Sequence, residues 1–196
     1  MPNCGPMLCL DDAEMYHGIP FAFSPRILSI STSSIARALS CAAPSIFPGY
    51  SAMAMAIFAK LDVPPLEREL MVLMVAQLEQ CEYEWAQHEQ IARSMGIDYV
   101  KIAAVQAGDY ESTVFDDREK ALFEFTRQTI KNVRVDDDAY NAVAAFYSHR
   151  QIIELLFTIG SYMMLARVME VAQIKLDAVH GAEIVQHAVN DAQKVD

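Results

Sequence analysis

In the run Cys81-Glu82-Tyr83-Glu84-Trp85-Ala86-Gln87-His88, three residues able to do chemistry stand at spacings of three and four. On a helix, Cys81, Glu84 and His88 therefore share one face, and a thiol, a carboxylate and an imidazole line up. Imidazole is the side chain whose proton moves most readily near neutral pH, and a carboxylate one turn away can orient and charge it. The trio is acid/base equipment, with Glu84 the expected partner of His88. Glu69 lies twelve residues before Cys81, which in an unbroken helix is about 18 Å along the axis and about a third of a turn off that face. It joins the site only if the helix breaks near Gln80 or if two subunits meet there.

Each of these residues also has a plainer use. Charged groups at helical spacing often solvate a helix face. An unactivated thiol such as Cys81 is mostly protonated at pH 7 and packs as a small hydrophobe. Tyr83 and Trp85 serve packing as readily as substrate stacking. With no further histidine or cysteine cluster to complete Cys81, Glu84 and His88 as ligands, the sequence predicts no metal site. Arg167 stands inside a strongly apolar stretch; it is placed to clamp a substrate carboxylate, or to pair with Glu170 or Glu154.

Around these residues the apolar positions recur at three and four from Ser24 onward, with turn signals between blocks of helix length, and no strand stands out. The expected fold is all-α. Ser24-Pro25 opens a helix to about Ser40, and Pro44 and Pro48-Gly49 bracket a break before a second helix, Tyr50 to Leu61. Asp62-Val63-Pro64-Pro65 ends that one, because a residue before proline is pushed out of helical geometry. A long helical stretch, Leu66 to Met95, closes at Gly96, and Asp98 starts a short helix to about Gln106. Asp116 with Glu119 forms a capping box for a helix to about Val133, Asp136 begins another to about Tyr147, and Ser148 with Gln151 caps a last one through Ile174. Residues 1–23 read as an irregular arm, 24–176 as a single domain, and 177–196 as a tail with helical potential.

Composition bounds the function. At 196 residues and 53% hydrophobic, the chain hides about 70% of the surface it would expose unfolded, so its core needs no disulfide or metal. A net charge of −11 repels phosphate backbones and anionic lipid, which argues against nucleic acid and membrane surfaces as partners. The apolar window Ile152 to Ala172 carries Glu154, Arg167 and Glu170, so it reads as a core helix rather than a bilayer span. Cys4, Cys9, Cys41 and Cys81 form no CxxC pair, and no cleavable signal is evident, which predicts reduced thiols in a cytoplasmic protein.

The run Leu66-Glu67-Arg68-Glu69-Leu70, followed by Cys81-Glu82-Tyr83-Glu84-Trp85, His88, Ala92 and Gly96, resembles the carboxymuconolactone decarboxylase family, also called AhpD-like. Glu154-Leu155 with Tyr162 and Arg167 is similar to the family's second half, so the likeness runs from about Arg26 to Val171. The resemblance implies an AhpD-like helical fold whose subunits associate as trimers, hexamers or similar rings, with a dimer as the smaller alternative and the site near an interface. The family's thiol branch uses a glutamate, a CxxC pair and a histidine as a proton relay for disulfide exchange. Here Glu69 takes the glutamate place, Cys81 the first cysteine and His88 the histidine, while Glu84 stands where the second cysteine would be. Without that resolving thiol a sulfenic acid on Cys81 cannot close a local disulfide. Met163 follows Tyr162 where the family often has an asparagine.

These readings favour a cofactor-free lyase acting by proton transfer on a small carboxylated lactone or related enolisable acid, by decarboxylation or by dehydration, isomerisation or cyclisation. In it His88 is the acid/base, Glu84 and Glu69 set its tautomer and charge, Cys81 donates weakly or lines the pocket, and Arg167, Tyr162, Trp85 and Tyr83 contact substrate. The alternatives are a thiol-dependent peroxidase or disulfide reductase and a non-catalytic oligomeric binding protein.

Overall fold

The computed structural model describes residues 34–176; the expected N-terminal arm, Cys4, Cys9, the start of the first helix and the C-terminal tail lie outside them. The described residues form α1 (Ser34–Ala42), α2 (Phe47–Ala59), α3 (Pro65–Glu79), α4 (Glu82–Ser94), α5 (Tyr99–Ala107), α6 (Asp117–Asn132), α7 (Asp137–Ala144) and α8 (His149–Ala172), with no strand among them. The all-α expectation holds.

Most helix starts follow from local chemistry. Asp98 accepts from the Val100 N–H, and Asp136 from the Ala139 N–H. Both capping boxes are reciprocal, Asp116 with Glu119 and Ser148 with Gln151, so each satisfies two amide donors that the first turn leaves without partners. At α2 the expectation needs correction. Pro48 does not break the chain there; it sits in the first turn, where its missing N–H has no helical partner to lose, and the helix begins at Phe47 rather than Tyr50.

The second correction sets up the site. The stretch expected as one long helix from Leu66 to Met95 is two helices, because Gln80 adopts a left-handed conformation (φ 57°, ψ 36°) and Cys81 is extended. The Cys81 N–H reaches back to the Ala76 carbonyl at 2.9 Å and the Gln80 N–H to the Gln77 carbonyl at 3.2 Å, the paired bonds that terminate a helix at a left-handed residue. A left-handed glutamine carries a steric cost that glycine would not. The turn lets α4 fold back on α3.

α3 is the centre of the molecule. Arg68 through Ala76 are all buried, as in a helix surrounded on every side, and it packs against α4, α5, α6 and α8. One core cluster joins Met71, Val72 and Val75 of α3 to Leu122 and Phe125 of α6 and to Ile152, Leu155 and Ile159 of α8. A second joins Leu70, Leu73 and Met74 to Ala92, Ile102, Val105 and Phe123. By length and hydropathy α8 would suffice to cross a bilayer. Here one of its faces is buried in the core, and the opposite one exposes Ile153, Phe157, Met164 and Val171.

Candidate functional site

The fold-back at Gln80 brings His88 of α4 onto Glu69 of α3. The His88 Nδ1 and Glu69 Oε2 atoms are 2.8 Å apart, and the other Glu69 oxygen lies 3.2 Å from Nη2 of Arg68. Arg68 is fixed in turn. Its Nη1 donates to the carbonyls of Ile57 (3.0 Å) and Phe58 (2.9 Å), the latter at the end of α2, and its guanidinium lies 5.4 Å from the Phe58 ring centre. All three charged or titratable members are buried, Glu69 completely.

The electrostatics of this chain fix a tautomer. Burial alone would push the Glu69 carboxyl up, but His88 and Arg68 together outweigh it and hold the group below the usual carboxylate range. An ionised carboxylate only accepts, so the proton in the 2.8 Å contact belongs to His88 Nδ1. Nε2 is left as the ring nitrogen free to exchange a proton. The ring itself is held on two sides, stacked parallel with Phe58 (6.3 Å between centres, 8° between planes) and met edge-on by Tyr162 (4.9 Å, 83°).

His88 opens onto a cavity of ≈ 180 Å³ between α1, α2, α4 and α8. Its walls are mainly apolar, from Ile35, Leu39, Phe47, Met55, Ile57, Phe58, Ile91, Leu165 and Met169, with Tyr50, Ser51, Tyr83, Glu84, Gln87, Ser161 and Tyr162 as the polar insertions. No lysine or arginine stands among the described lining residues. Desolvation by burial raises the phenols of Tyr50 and Tyr162, with the negative charges of Glu84 and Glu69 adding to the effect, so both are neutral hydroxyls.

The residues expected at the site divide. Glu69, Glu84, His88, Tyr83 and Tyr162 meet at or just behind the cavity. Glu84 does not, however, orient His88; its two carboxyl oxygens are buried with no hydrogen-bond partner among the described residues, and the orienting role falls to Glu69. Burial, then Glu79 and Glu170, push the Glu84 carboxyl up to about 8. Cys81 starts α4 and packs against Tyr83, Ala166 and Met169, only 1% exposed and outside the cavity wall. Its thiol is pushed up to about 12, chiefly by burial, with Glu84 and Glu170 adding to it against a hydrogen bond from the Glu84 backbone.

Trp85 faces the other way, into the cluster of α3, α4 and α5. Arg167 is on the surface, its side chain 57% exposed, paired with Glu79 at 2.7 Å and donating to the Met163 carbonyl. It contacts neither the cavity nor its other expected partners, Glu154 and Glu170; Glu154 instead accepts from the Asp62 N–H and from Arg150. Among the described residues no three of His, Cys, Asp or Glu are arranged to hold a metal ion. Sequence reasoning missed Arg68 and the α2 residues Tyr50 and Phe58. The available signal for Arg68 was an adjacent Arg-Glu pair at the head of an apolar run, but neighbours in a helix point about 100° apart, so spacing does not predict that they interact.

Residues 44–128 match the model of the carboxymuconolactone decarboxylase family. The matched segment holds Glu69, Glu84 and His88. Among solved structures, a putative antioxidant defence protein AhpD from Agrobacterium tumefaciens superposes with a TM-score of 0.66 at 19% identity, covering 71% of this chain and 95% of that one. An uncharacterised peroxidase-related protein with an alkylhydroperoxidase AhpD core, from Ralstonia eutropha JMP134, gives 0.68 at 16% identity over 78% of this chain and 83% of the other. A Cys-to-Ala variant of the debrominase Bmp8, in complex with 2,3,4-tribromopyrrole, gives 0.66 at 14% identity over 86% and 90%. At these identities the likeness is one of fold. A comparison with curated proteins finds no match.

Proposed function

We propose that this carboxymuconolactone decarboxylase family chain is a cofactor-free proton-transfer enzyme acting on a small enolisable carbonyl compound, with His88 as the acid/base. The observation that carries the reading is the buried series Arg68–Glu69–His88, which ends in a tautomerically fixed imidazole at an apolar cavity. Such a site suits chemistry at carbon. Removing a proton next to a carbonyl builds negative charge on oxygen, and a dry, preorganised cavity makes each donor facing that charge worth more than in water. Glu69 and Arg68 are positioning residues, since they act through His88.

Decarboxylation of a carboxylated lactone is the reaction the family name suggests. It asks the cavity to take in a carboxylate, and the described wall offers that anion no lysine or arginine while Arg68 is occupied by Glu69 and two carbonyls. The geometry therefore favours the reactions that start by deprotonation, namely isomerisation, dehydration or cyclisation, over loss of carbon dioxide. A thiol-based peroxidase or reductase is less well supported, because Cys81 is buried away from the cavity and Glu84 occupies the position of the resolving cysteine. The partners proposed are a small-molecule substrate and further copies of this chain, docked through the exposed apolar stripe of α8.

The test is solvent deuterium incorporation, read by mass spectrometry, across enolisable ketones, esters and lactones, with carbon dioxide release followed in parallel for carboxylated lactones. The reading expects exchange that disappears in His88→Gln. Peroxide reduction dependent on Cys81, without any such exchange, would overturn it.

A further inference from the structure

Glu84 is left unexplained by the series above. It lies on α4 one turn before His88, lines the same cavity, is 2% exposed, and among the described residues neither carboxyl oxygen has a hydrogen-bond partner. A carboxylate so placed would lose its hydration with nothing in return, so the group persists there as the neutral acid. The groups around it reinforce this. Glu79 of α3 and Glu170 of α8 repel a charge on it, Arg167 is turned outward onto Glu79, and Tyr50, Tyr162 and the Cys81 thiol all have raised pKa values and stay neutral. A neutral carboxyl differs from an ionised one in carrying an O–H donor. Glu84 and His88, at i and i+4 on α4, thus line the same wall, one carrying a buried O–H donor and the other an imidazole.

We propose that Glu84 donates its hydroxyl hydrogen to the carbonyl oxygen of an uncharged, largely apolar ketone, ester or lactone whose α-carbon meets His88 Nε2, an assignment that rests on the proton-transfer reading of His88. Nε2 takes the α-proton and the C–H pair becomes the carbon–carbon double bond of the enolate. The carbonyl π pair moves onto oxygen, where the Glu84 hydroxyl stabilises it. Return of the proton from Nε2 to the same or a conjugated carbon completes the cycle, and nothing is oxidised or reduced. The walls select the rest of the molecule: Phe47, Met55, Phe58 and Ile91 take apolar groups, and the cavity of ≈ 180 Å³ exceeds the roughly 150 Å³ that holds a benzene. A substituted single ring fits. A ligand carboxylate would face the ionised Glu69 behind His88 with no described cation beside it, and an ammonium would bind only by ionising Glu84.

Three probes of one shape test this: acetophenone, benzoate and 1-phenylethylammonium, titrated into the full chain by calorimetry, with exchange of the acetophenone methyl protons followed by NMR in deuterated buffer. The expectation is that acetophenone binds more tightly than either ion by about tenfold, the equivalent of one hydrogen bond. Its affinity should fall as the pH rises through about 8, where Glu84 ionises. Glu84→Gln, which keeps an N–H donor, should retain binding and lose that pH dependence, while Glu84→Ala should lose the binding. Equal or tighter binding of benzoate or of the ammonium, no binding of acetophenone, or indifference of acetophenone to both Glu84 variants would each overturn the assignment. Exchange that depends on His88 but not on Glu84 would overturn it while leaving the proton-transfer reading standing. Glu84-dependent binding without exchange would do the reverse.

Discussion

Glu69 and His88 are nineteen residues apart and meet at 2.8 Å, whereas an unbroken helix would hold them about 28 Å apart along its axis. The whole difference is made by one left-handed residue, Gln80, and the extended Cys81 after it. The site is thus a product of a chain reversal, and its quality depends on Glu69 remaining ionised beneath the imidazole.

Replacing Glu69 with glutamine should leave the shape and remove the charge that fixes the His88 tautomer. An amide can accept from Nδ1–H or donate to bare Nδ1, so both ring forms become populated. Loss of a tautomer-fixing carboxylate costs catalysis up to about 10⁴. The variant also leaves Arg68 buried without its counter-charge, and breaking a buried pair costs about 3–5 kcal/mol. Thermal melts alongside single-turnover rates separate the two effects. A variant that folds and keeps wild-type turnover would remove Glu69 from its positioning role.

The two arginines make a sharp contrast. Arg68 is buried and bonded to Glu69 and two α2 carbonyls, whereas the Arg167 side chain is mostly exposed and, among the described residues, bridges to Glu79 and its own helix. An exposed ion pair is worth at most about 1 kcal/mol. Arg167→Ala should therefore leave both stability and activity near wild type, while Arg68→Ala should cost both. Loss of turnover in a folded Arg167→Ala would restore the surface arginine to the site.

What the sequence reveals and what it conceals follow from the range of each interaction. The caps at Asp98, Asp116, Asp136 and Ser148 involve partners within three residues, so residue types alone announce them, and the all-helical architecture follows. The Glu84 and His88 face is likewise local, whereas Cys81, extended at the start of α4, falls outside the cavity wall. The partnership within that face is not local: i, i+4 spacing pairs Glu84 with His88, but a tertiary contact with Glu69 captures the imidazole first. Gln80 hides the reversal because the left-handed cap residue is usually glycine. Arg167 misleads for the opposite reason. An apolar helix suggests a buried arginine, yet α8 carries apolar residues on an exposed face as well.

That exposed face leads to a prediction about assembly. Ile153, Phe157, Met164 and Val171 fall within about 40° of one another around the helix axis, and a contiguous apolar stripe of this kind marks an interaction surface. Light scattering should give a multiple of the 21.9 kDa chain. Phe157→Glu, which places a charge within the stripe at its most exposed aromatic, should shift the population toward single chains without lowering helicity. A wild-type monomer at micromolar concentration would remove the self-association.

The thiol and the imidazole can be separated directly. In a proton-transfer enzyme, His88→Gln removes the acid/base and should reduce the rate by about 10²–10⁴. Cys81→Ser alters a side chain that packs against Tyr83, Ala166 and Met169 outside the cavity wall and keeps a group able to accept from the Glu84 backbone, and it should keep most activity. A dead serine variant beside an active glutamine variant would transfer the chemistry to the thiol.

Glu84 also makes stability depend on pH in a direction opposite to that of Glu69. Its carboxyl is raised to about 8 in the folded chain, against an ordinary value of about 4.3 for an unfolded glutamate. Between those values the unfolded chain has released the proton and the folded chain retains it, so folding takes up a proton and stability falls as the pH rises, by at most about 1.4 kcal/mol per pH unit for one group. Above about 8 the contribution levels off. Glu69, lowered by His88 and Arg68, acts the other way: its stabilisation is present above the ordinary glutamate range and is lost as the pH falls through its folded value. Glu84→Gln should therefore melt above wild type by a margin that widens from mildly acidic pH to about 8 and then stays constant. Parallel melting curves for the two proteins across that range would show that Glu84 is already ionised in the folded chain, and the neutral-donor assignment would fall with it.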